Sequence, residues 1–179
     1  MSRLLCLPRR GPATLLTILT AVLVLLVPAP ADAHPFGDPQ TVEVTGDAEQ
    51  VRVRWRAGGT DDLTLLAVAL GALPRDRVML DGAVWYEDGD AEALAASPAF
   101  ADYLLDRITV ASGPADCPGE LVGTDLLGAG AVLAFTCAVP VEAATVEVRT
   151  LLDLHPAYRT LATGPDGQRA VYDLSLIHI

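Results

Sequence analysis

The sequence contains no lysine: all 12 of its basic residues are arginine, and they stand against 23 acidic residues. The net charge of −11 at pH 7 opposes binding to nucleic acids and to anionic lipid headgroups, because both need a basic surface patch. We therefore expect neither kind of ligand. The exclusive use of arginine, together with abundant alanine, is typical of a GC-rich genome and indicates an actinobacterial origin.

Catalytic motifs are lacking as well. Neither Ser97 nor Ser112 lies in a Gly-x-Ser-x-Gly sequence, and Gly128-Ala129-Gly130 is not followed by the helical pattern of a phosphate-binding loop. Only three histidines occur in the whole chain, so there are few candidates for the histidine of a Ser-His-Asp triad. We therefore predict that the protein is not an enzyme.

Residues 1–33 have the three parts of a secretory signal peptide. A start with three arginines precedes an apolar core over 15–27, and Ala31-Asp32-Ala33 supplies the small residues of a cleavage site. The apolar core is shorter than the roughly 20 residues of a membrane span. We predict a signal-peptide helix that is cleaved before His34, which makes the protein exported. Removing 3 of the 12 basic and 1 of the 23 acidic residues leaves 9 against 22, a net charge of −13.

The last six residues, 174–179, read LSLIHI. This is the translation of the transposon mosaic-end adapter used in tagmentation sequencing libraries. We therefore predict that the hexapeptide derives from adapter, that His178 has no role in a metal site, and that the natural sequence continues past Asp173. On this interpretation residues 34–173 form one extracytoplasmic domain that is truncated at its C-terminal end.

Two cysteines remain after removal of the leader, Cys117 and Cys137. An even number of cysteines in an exported chain is typical of a disulfide, because the compartment is oxidising. The alternative, a metal site with two thiolates, has no histidine near either cysteine. We predict a Cys117–Cys137 disulfide, which on the chain-entropy model stabilises the fold by about 3 kcal/mol.

Alternating polar and apolar residues predict strands. The stretches 41–45 and 50–56, separated by Gly46-Asp47, predict an antiparallel hairpin with one face on a core. The outer face of its second strand carries Arg52, Arg54 and Arg56. We expect these arginines to pair with neighbouring carboxylates, and anion binding is the alternative.

Two helices interrupt the strands. Thr60-Asp61-Asp62 supplies a cap and an acidic first turn for a helix that runs through Leu70. Because residues 63–70 are apolar nearly all round, we predict that this helix is buried at the end or edge of a sheet, with membrane contact as the alternative. After a short turn over 90–96, Ser97-Pro98 begins a second helix with one amphipathic face. Further strands are predicted over 78–86 (a pair), 108–110, 131–137, 145–150 and 171–172. The pattern predicts a mainly β protein, an antiparallel Ig-like β-sandwich with two inserted helices.

Two stretches carry a resemblance to known exported proteins. The mature start from Ala33-His34-Pro35-Phe36, continuing Gly-Asp-Pro-Gln, resembles uncharacterised actinobacterial envelope proteins. The element order, with FADYLL at 100–105 and TLLDLHP at 150–156, is similar to the extracytoplasmic domain that precedes the membrane helices of HupE/UreJ-type nickel/cobalt permeases. The resemblance implies a domain attached to a membrane. It assigns no transport residue, because the metal path of those families lies in their membrane helices.

Cleavage before His34 would create a metal-binding possibility. The new α-amino group and the His34 Nδ1 atom chelate one cation together, and His155 is the other histidine able to complete a copper brace. A histidine is common near signal cleavage sites, and Pro35 constrains the backbone beside it. We keep a copper site at His34 and His155 as an alternative and predict no resident cofactor.

Acidic and aromatic residues in the middle of the chain admit a functional and a structural interpretation. Acidic residues at 87, 88, 90 and 92 lack the ligand spacing of an EF-hand calcium loop, so we predict a solvated acidic turn. Trp55 and Trp85-Tyr86 are interpreted as aromatics of the core or of a sheet edge rather than a ligand platform.

These observations predict a non-enzymatic extracytoplasmic domain of the cell envelope, tethered to the membrane by a segment beyond Asp173. The binding partner stays open. One alternative is the soluble domain of a nickel/cobalt permease. The other is a periplasmic-type copper-binding protein that uses His34 and His155.

Overall fold

The structure, a computed structural model, describes residues 37–80, 82–138, 141, 143–172 and 175–178. The predicted signal peptide and His34 lie outside these residues. So do Asp173 and Leu174, at the predicted boundary between natural sequence and adapter.

The alternating pattern near the start of the described chain forms the predicted hairpin. Strand β1 (Gln40–Gly46) runs antiparallel to strand β2 (Gln50–Arg56), with Val42 opposite Trp55. Alternate residues of both strands are buried, because side chains of a strand point to opposite faces in turn. The turn is fixed by Asp47, whose Oδ1 accepts hydrogen bonds from two backbone N–H groups at 2.9 Å.

Three α-helices follow the hairpin, where the sequence predicted two helices and a short turn. They are α1 (Thr60–Ala69), α2 (Asp90–Ala95) and α3 (Pro98–Arg107). Thr60, predicted as the cap of α1, is its first helical residue, and the Asp62 carboxylate instead accepts a hydrogen bond from the Gly59 N–H at 3.1 Å. Much of α1 is buried in the core, as predicted. The amphipathic face of α3 is also buried through Phe100, Tyr103 and Leu104.

The rest of the chain consists mainly of short strands. These are β3 (Ile108–Ser112), β4 (Ala115–Cys117), β5 (Gly119–Asp125), β6 (Gly130–Thr136), β7 (Ala144–Val148), β8 (Thr160–Thr163), β9 (Arg169–Tyr172) and β10 (Ser175–His178). Strands β3, β6, β7 and β9 match predicted strands. Strands β4, β5 and β8 were not predicted from the sequence.

The strand pair predicted over 78–86 is reduced to one β-bridge, between Val78 and Val84. Two backbone hydrogen bonds flank the bridge, from the Met79 N–H to the Ala83 carbonyl and from the Trp85 N–H to the Arg77 carbonyl, both at 2.8 Å. We call residues 78–80 and 82–85 the bridge hairpin. It belongs to neither sheet.

The strands form two sheets. The first has the order β5-β6-β2-β1-β8-β9, and the second has the order β10-β7-β3-β4. The described pairs are antiparallel except β1 and β8, which run parallel. The first sheet is therefore mixed rather than purely antiparallel as predicted, because the chain passes through the helices and the second sheet before β8 returns beside β1.

Strand β10 lies at an edge and pairs antiparallel with β7. Edge pairing of this kind uses the backbone N–H and C=O groups that almost every sequence supplies. It therefore says nothing about the origin of residues 174–179, and the adapter interpretation stays a prediction.

The core combines residues of both sheets and of the helices. Trp55, Leu66, Phe100, Leu104 and Val146 are all 0 % exposed. Burial of such side chains contributes about 1.5–3 kcal/mol each, which makes this cluster the main source of stability.

The predicted disulfide between Cys117 and Cys137 is confirmed, with their Cα atoms 4.5 Å apart. Cys117 is the last residue of β4 in the four-stranded sheet, and Cys137 directly follows β6 in the six-stranded sheet. The bond therefore links the two sheets covalently.

Among the described residues, no helix has the length and apolar character needed to cross a bilayer.

Candidate functional site

The described structure contains one of the two histidines of the predicted copper site. His34 lies outside the described residues, and His155 is exposed, with its Nδ1 atom accepting a hydrogen bond from the Ala157 N–H at 3.1 Å. Within the described part of the chain, no three His, Cys, Asp or Glu side chains are grouped as metal ligands would be. The copper site stays a prediction.

The acidic segment is not the fully solvated turn that the sequence predicted. Asp90 is 2 % exposed, and its Oδ2 atom accepts hydrogen bonds from the Thr64 hydroxyl and the Glu87 N–H, each at 3.0 Å. Its Oδ1 atom lies 3.2 Å from the Arg77 guanidinium, which also forms an ion pair with Glu87 at 2.8 Å. The carboxylate is buried because arginine and hydroxyl donors compensate its charge. It joins α1, α2 and the bridge hairpin.

The expected pairing of the β2 arginines with carboxylates is confirmed at Arg54. Arg54 forms an ion pair with Glu43 at 3.0 Å, as predicted, whereas Arg52 Nε donates a hydrogen bond to the Gln50 side-chain carbonyl at 3.0 Å. Arg54 and Glu43 are each about half exposed. Solvent-exposed pairs of this kind contribute about 0–1 kcal/mol.

The two tryptophans differ sharply in exposure. Trp55 is fully buried, with its Nε1 donating a hydrogen bond to Gln40 Oε1 at 2.6 Å and its ring 6.1 Å from that of Phe100. Trp85 was also expected in the core or at a sheet edge, but it is 62 % exposed. The reason is its place in the bridge hairpin, which a single bridge leaves outside both sheets.

Trp85 is one of three large apolar side chains that the bridge hairpin presents to solvent. Met79 is 51 % exposed, and Leu80 is exposed as fully as in an extended chain, at 111 %. We call Met79, Leu80 and Trp85 the hairpin tip. Large apolar side chains grouped at the surface mark interaction sites more often than isolated ones do. The hairpin tip is therefore the candidate functional site.

The base of the bridge hairpin is held by Arg77. Its guanidinium donates a hydrogen bond to the Trp85 carbonyl at 3.3 Å and forms the ion pairs with Glu87 and Asp90 described above. The position of the hairpin tip is thus tied to a buried carboxylate of the domain.

A second irregular segment, the β7–β8 connection (149–159), is pinned by buried polar groups. Its Leu151 has a left-handed backbone with φ of 65° and is nevertheless fully buried. A residue that carries a β-carbon adopts this conformation at a cost of about 1 kcal/mol or more, so other contacts must offset that cost. The Leu151 N–H donates a hydrogen bond to the Tyr103 hydroxyl at 2.7 Å, and that hydroxyl donates to Asp153 at 2.8 Å.

Two further contacts hold the same connection. The Gln40 side chain donates to the Thr150 carbonyl at 2.7 Å and accepts from the Thr150 hydroxyl at 2.6 Å, beside its bond from Trp55. The Tyr158 hydroxyl donates to Asp62 at 2.7 Å.

Burial is the main cause that raises the pKa of both Tyr103 and Tyr158 above the ordinary value, and the hydrogen bonds to Asp153 and Asp62 raise it further. Both hydroxyls therefore stay protonated donors at neutral pH.

The sequence analysis predicted neither the exposure of the hairpin tip nor the buried polar contacts of the β7–β8 connection. The hairpin tip did leave a signal, because Met79-Leu80 and Trp85 flank the turn pair Asp81-Gly82 without regular alternation. The β7–β8 connection left none, since Gln40 and Thr150 are separated by 110 residues.

Comparisons with known proteins returned no match to a protein-family model, to a curated protein or to a solved structure. The chain is therefore defined by its own structure: a mainly β protein with two sheets, three helices in the described residues and a disulfide between the sheets. The resemblance to HupE/UreJ-type permeases stays a prediction.

Proposed function

We propose that the chain is an exported, non-enzymatic domain of the cell envelope, tethered to the membrane by natural sequence beyond Asp173. The observation that carries this proposal is the Cys117–Cys137 disulfide. Structural disulfides persist in oxidising compartments and are rare in the cytoplasm. Together with the leader-like residues 1–33, the bond supports an extracytoplasmic location.

An Ig-like sandwich is the fold we propose for this domain. The support is a disulfide between two sheets and a buried tryptophan, Trp55, both of which are typical of Ig-like domains. The parallel pair of β1 and β8 and the three helices would then be additions to that architecture.

The proposed role of the domain is binding at the envelope, with the hairpin tip as its contact surface. The polar groups buried around the β7–β8 connection are bonded to one another and serve the fold. The hairpin tip instead leaves large apolar side chains exposed on a braced support. This contrast supports a binding role for the tip.

The test is to express the chain with its leader in a bacterial host. The N-terminus of the product and the reactivity of its cysteine thiols are then measured. We expect a mature N-terminus at His34 in the extracytoplasmic fraction and no reaction with a thiol reagent before reduction. A Cys117→Ala, Cys137→Ala variant is the control for labelling after reduction. Cytoplasmic retention of the unprocessed chain with three reactive thiols, those of Cys6, Cys117 and Cys137, would contradict the export proposal. For the tether, the full-length gene product should leave the membrane fraction with detergent but not with salt.

A further inference from the structure

The arginine row on the outer face of β2 is only partly compensated by carboxylates. Arg54 pairs with Glu43, whereas Arg52 bonds to the uncharged Gln50 side chain. Arg56 has neither an ion pair nor a side-chain hydrogen bond in the described structure. Acidic residues outnumber arginines by 22 to 9 in the predicted mature chain, so a carboxylate partner would be expected for each arginine. The unpaired Arg56 requires a separate explanation.

A hollow of about 330 Å³ lies beside Arg56 on this outer face. Strand register places the side chains that line it. Thr41 of β1 lies opposite Arg56, while Glu43 lies opposite Arg54 of β2 and opposite Thr163 of β8. Alternate residues of a strand share a face, so these side chains lie on the same side of the sheet. The volume is at the lower end of the range for ligand pockets, which favours a small ligand.

The charges that line the hollow match a ligand with one negative charge. Arg54 and Arg56 contribute two positive charges and Glu43 contributes one negative charge, which leaves an excess of one positive charge. The other carboxylates on the described strands of this face, Glu120 and Asp125, lie on β5, two strands away from β2. That separation is roughly 10 Å, about one Debye length at physiological salt, so their repulsion is largely screened.

The hydrogen-bonding groups of the hollow favour hydroxyl groups on the same ligand. Glu43 Oε2 accepts a hydrogen bond from Arg54 at 3.0 Å, and Glu43 Oε1 has no partner in the described structure. This carboxylate would repel a plain anion placed between the arginines, whereas a hydroxyl group would donate a hydrogen bond to it. The Thr41 and Thr163 hydroxyls can donate or accept. A small polyhydroxylated acid therefore fits the hollow better than an inorganic anion.

We propose that the hollow binds an acidic sugar, with the sugar carboxylate at Arg56 and the ring hydroxyls at Glu43 and the two threonines. None of the residues that line the hollow is aromatic, and the predicted net charge of −13 opposes anions at long range. We therefore expect weak binding, with a dissociation constant of about 1–10 mM. This site involves neither the hairpin tip nor the membrane tether, so it stands or fails independently of the proposed function.

The experiment measures the melting temperature of the oxidised, leader-free protein, whose intact mass is checked first. Galacturonate, glucose, acetate and inorganic phosphate are added separately at constant ionic strength, each at about ten times the expected dissociation constant. We expect galacturonate to raise the melting temperature by about 3–6 °C, and each of the others by less than half as much. Arg56→Gln should weaken galacturonate binding about tenfold, which reduces the shift about threefold.

Arg75→Gln is the matched control, because Arg75 is also exposed and has no ion pair in the described structure. It should leave the galacturonate shift unchanged. Glu43→Gln removes the repulsion of plain anions, so it should raise the phosphate shift relative to the galacturonate shift. The proposal is overturned if galacturonate gives no shift, if acetate or phosphate matches it, which would mark an adventitious ion only, or if Arg56→Gln and Arg75→Gln behave alike.

Discussion

The bridge hairpin and the β7–β8 connection are both irregular segments outside the sheets, but they differ in what they bury. The connection places Thr150 and Leu151 in the interior and bonds their polar groups to Gln40 and Tyr103. The hairpin tip bonds its backbone internally and leaves its apolar side chains in solvent. Irregular backbone alone therefore does not identify a functional segment. The side chains that it exposes do.

The largest expected effect belongs to the connection, at Gln40. Gln40→Ala removes a hydrogen-bond partner from the Trp55 indole, the Thr150 hydroxyl and the Thr150 carbonyl, all in a buried site. Since unpaired buried polar groups cost about 1–3 kcal/mol each and the sites are coupled, we expect a loss of about 3–5 kcal/mol in the free energy of unfolding. Urea titration of the oxidised protein measures it. A loss below about 1 kcal/mol would show that water replaces the missing amide.

A smaller loss is expected at Tyr103. Tyr103→Phe removes only the hydroxyl that accepts from the Leu151 N–H and donates to Asp153. The Leu151 N–H then stays buried without its partner, and we expect a loss of about 1–3 kcal/mol in the free energy of unfolding. Tyr86→Phe, beside the bridge hairpin, is the matched control and should change stability by less than about 0.5 kcal/mol. Equal effects of the two changes would remove the distinction between the segments.

The sequence predicted local features well because each depends on neighbouring residues. Strands β1 and β2 followed from alternation over residues 41–45 and 50–56, and α3 followed from Ser97-Pro98 with one apolar face. The disulfide followed from there being only two cysteines in the predicted mature chain. Strand β5 was missed because Gly119 and Gly123 weaken its pattern and a register shift interrupts its pairing with β6.

Long-range features had no local signal. The parallel pairing of β1 with β8 joins segments more than 110 residues apart, and no property of either strand indicates its partner. The same holds for the Tyr158–Asp62 hydrogen bond, at a separation of 96 residues. Burial of Asp90 was likewise unpredictable, because it depends on Arg77 and Thr64 arriving from other elements.

Alkaline pH should weaken the contacts that tyrosine hydroxyls make in holding the β7–β8 connection. This test needs no substitution in the bridge hairpin. The pKa values of Tyr103 and Tyr158 are raised above the ordinary value of 10.0, chiefly by burial, so the folded protein holds protons that the unfolded chain releases. This contribution is complete below about pH 10 and is lost as the pH rises further. We expect the melting temperature to fall steeply above about pH 10. The double variant Tyr103→Phe, Tyr158→Phe should be less stable at pH 7 and should show a flatter decline, and an unchanged slope would contradict the assignment.

The smallest effect on stability is expected at the hairpin tip itself. In Met79→Ser, Leu80→Ser, both replaced side chains are already largely in water, so unfolding exposes little that was buried. We expect the free energy of unfolding to change by less than about 0.5 kcal/mol. Urea titration beside the Gln40→Ala protein makes the comparison direct. If the double variant lost several kcal/mol, the hairpin tip would be packed against the domain in solution, and its apolar side chains would serve the fold as those of the β7–β8 connection do.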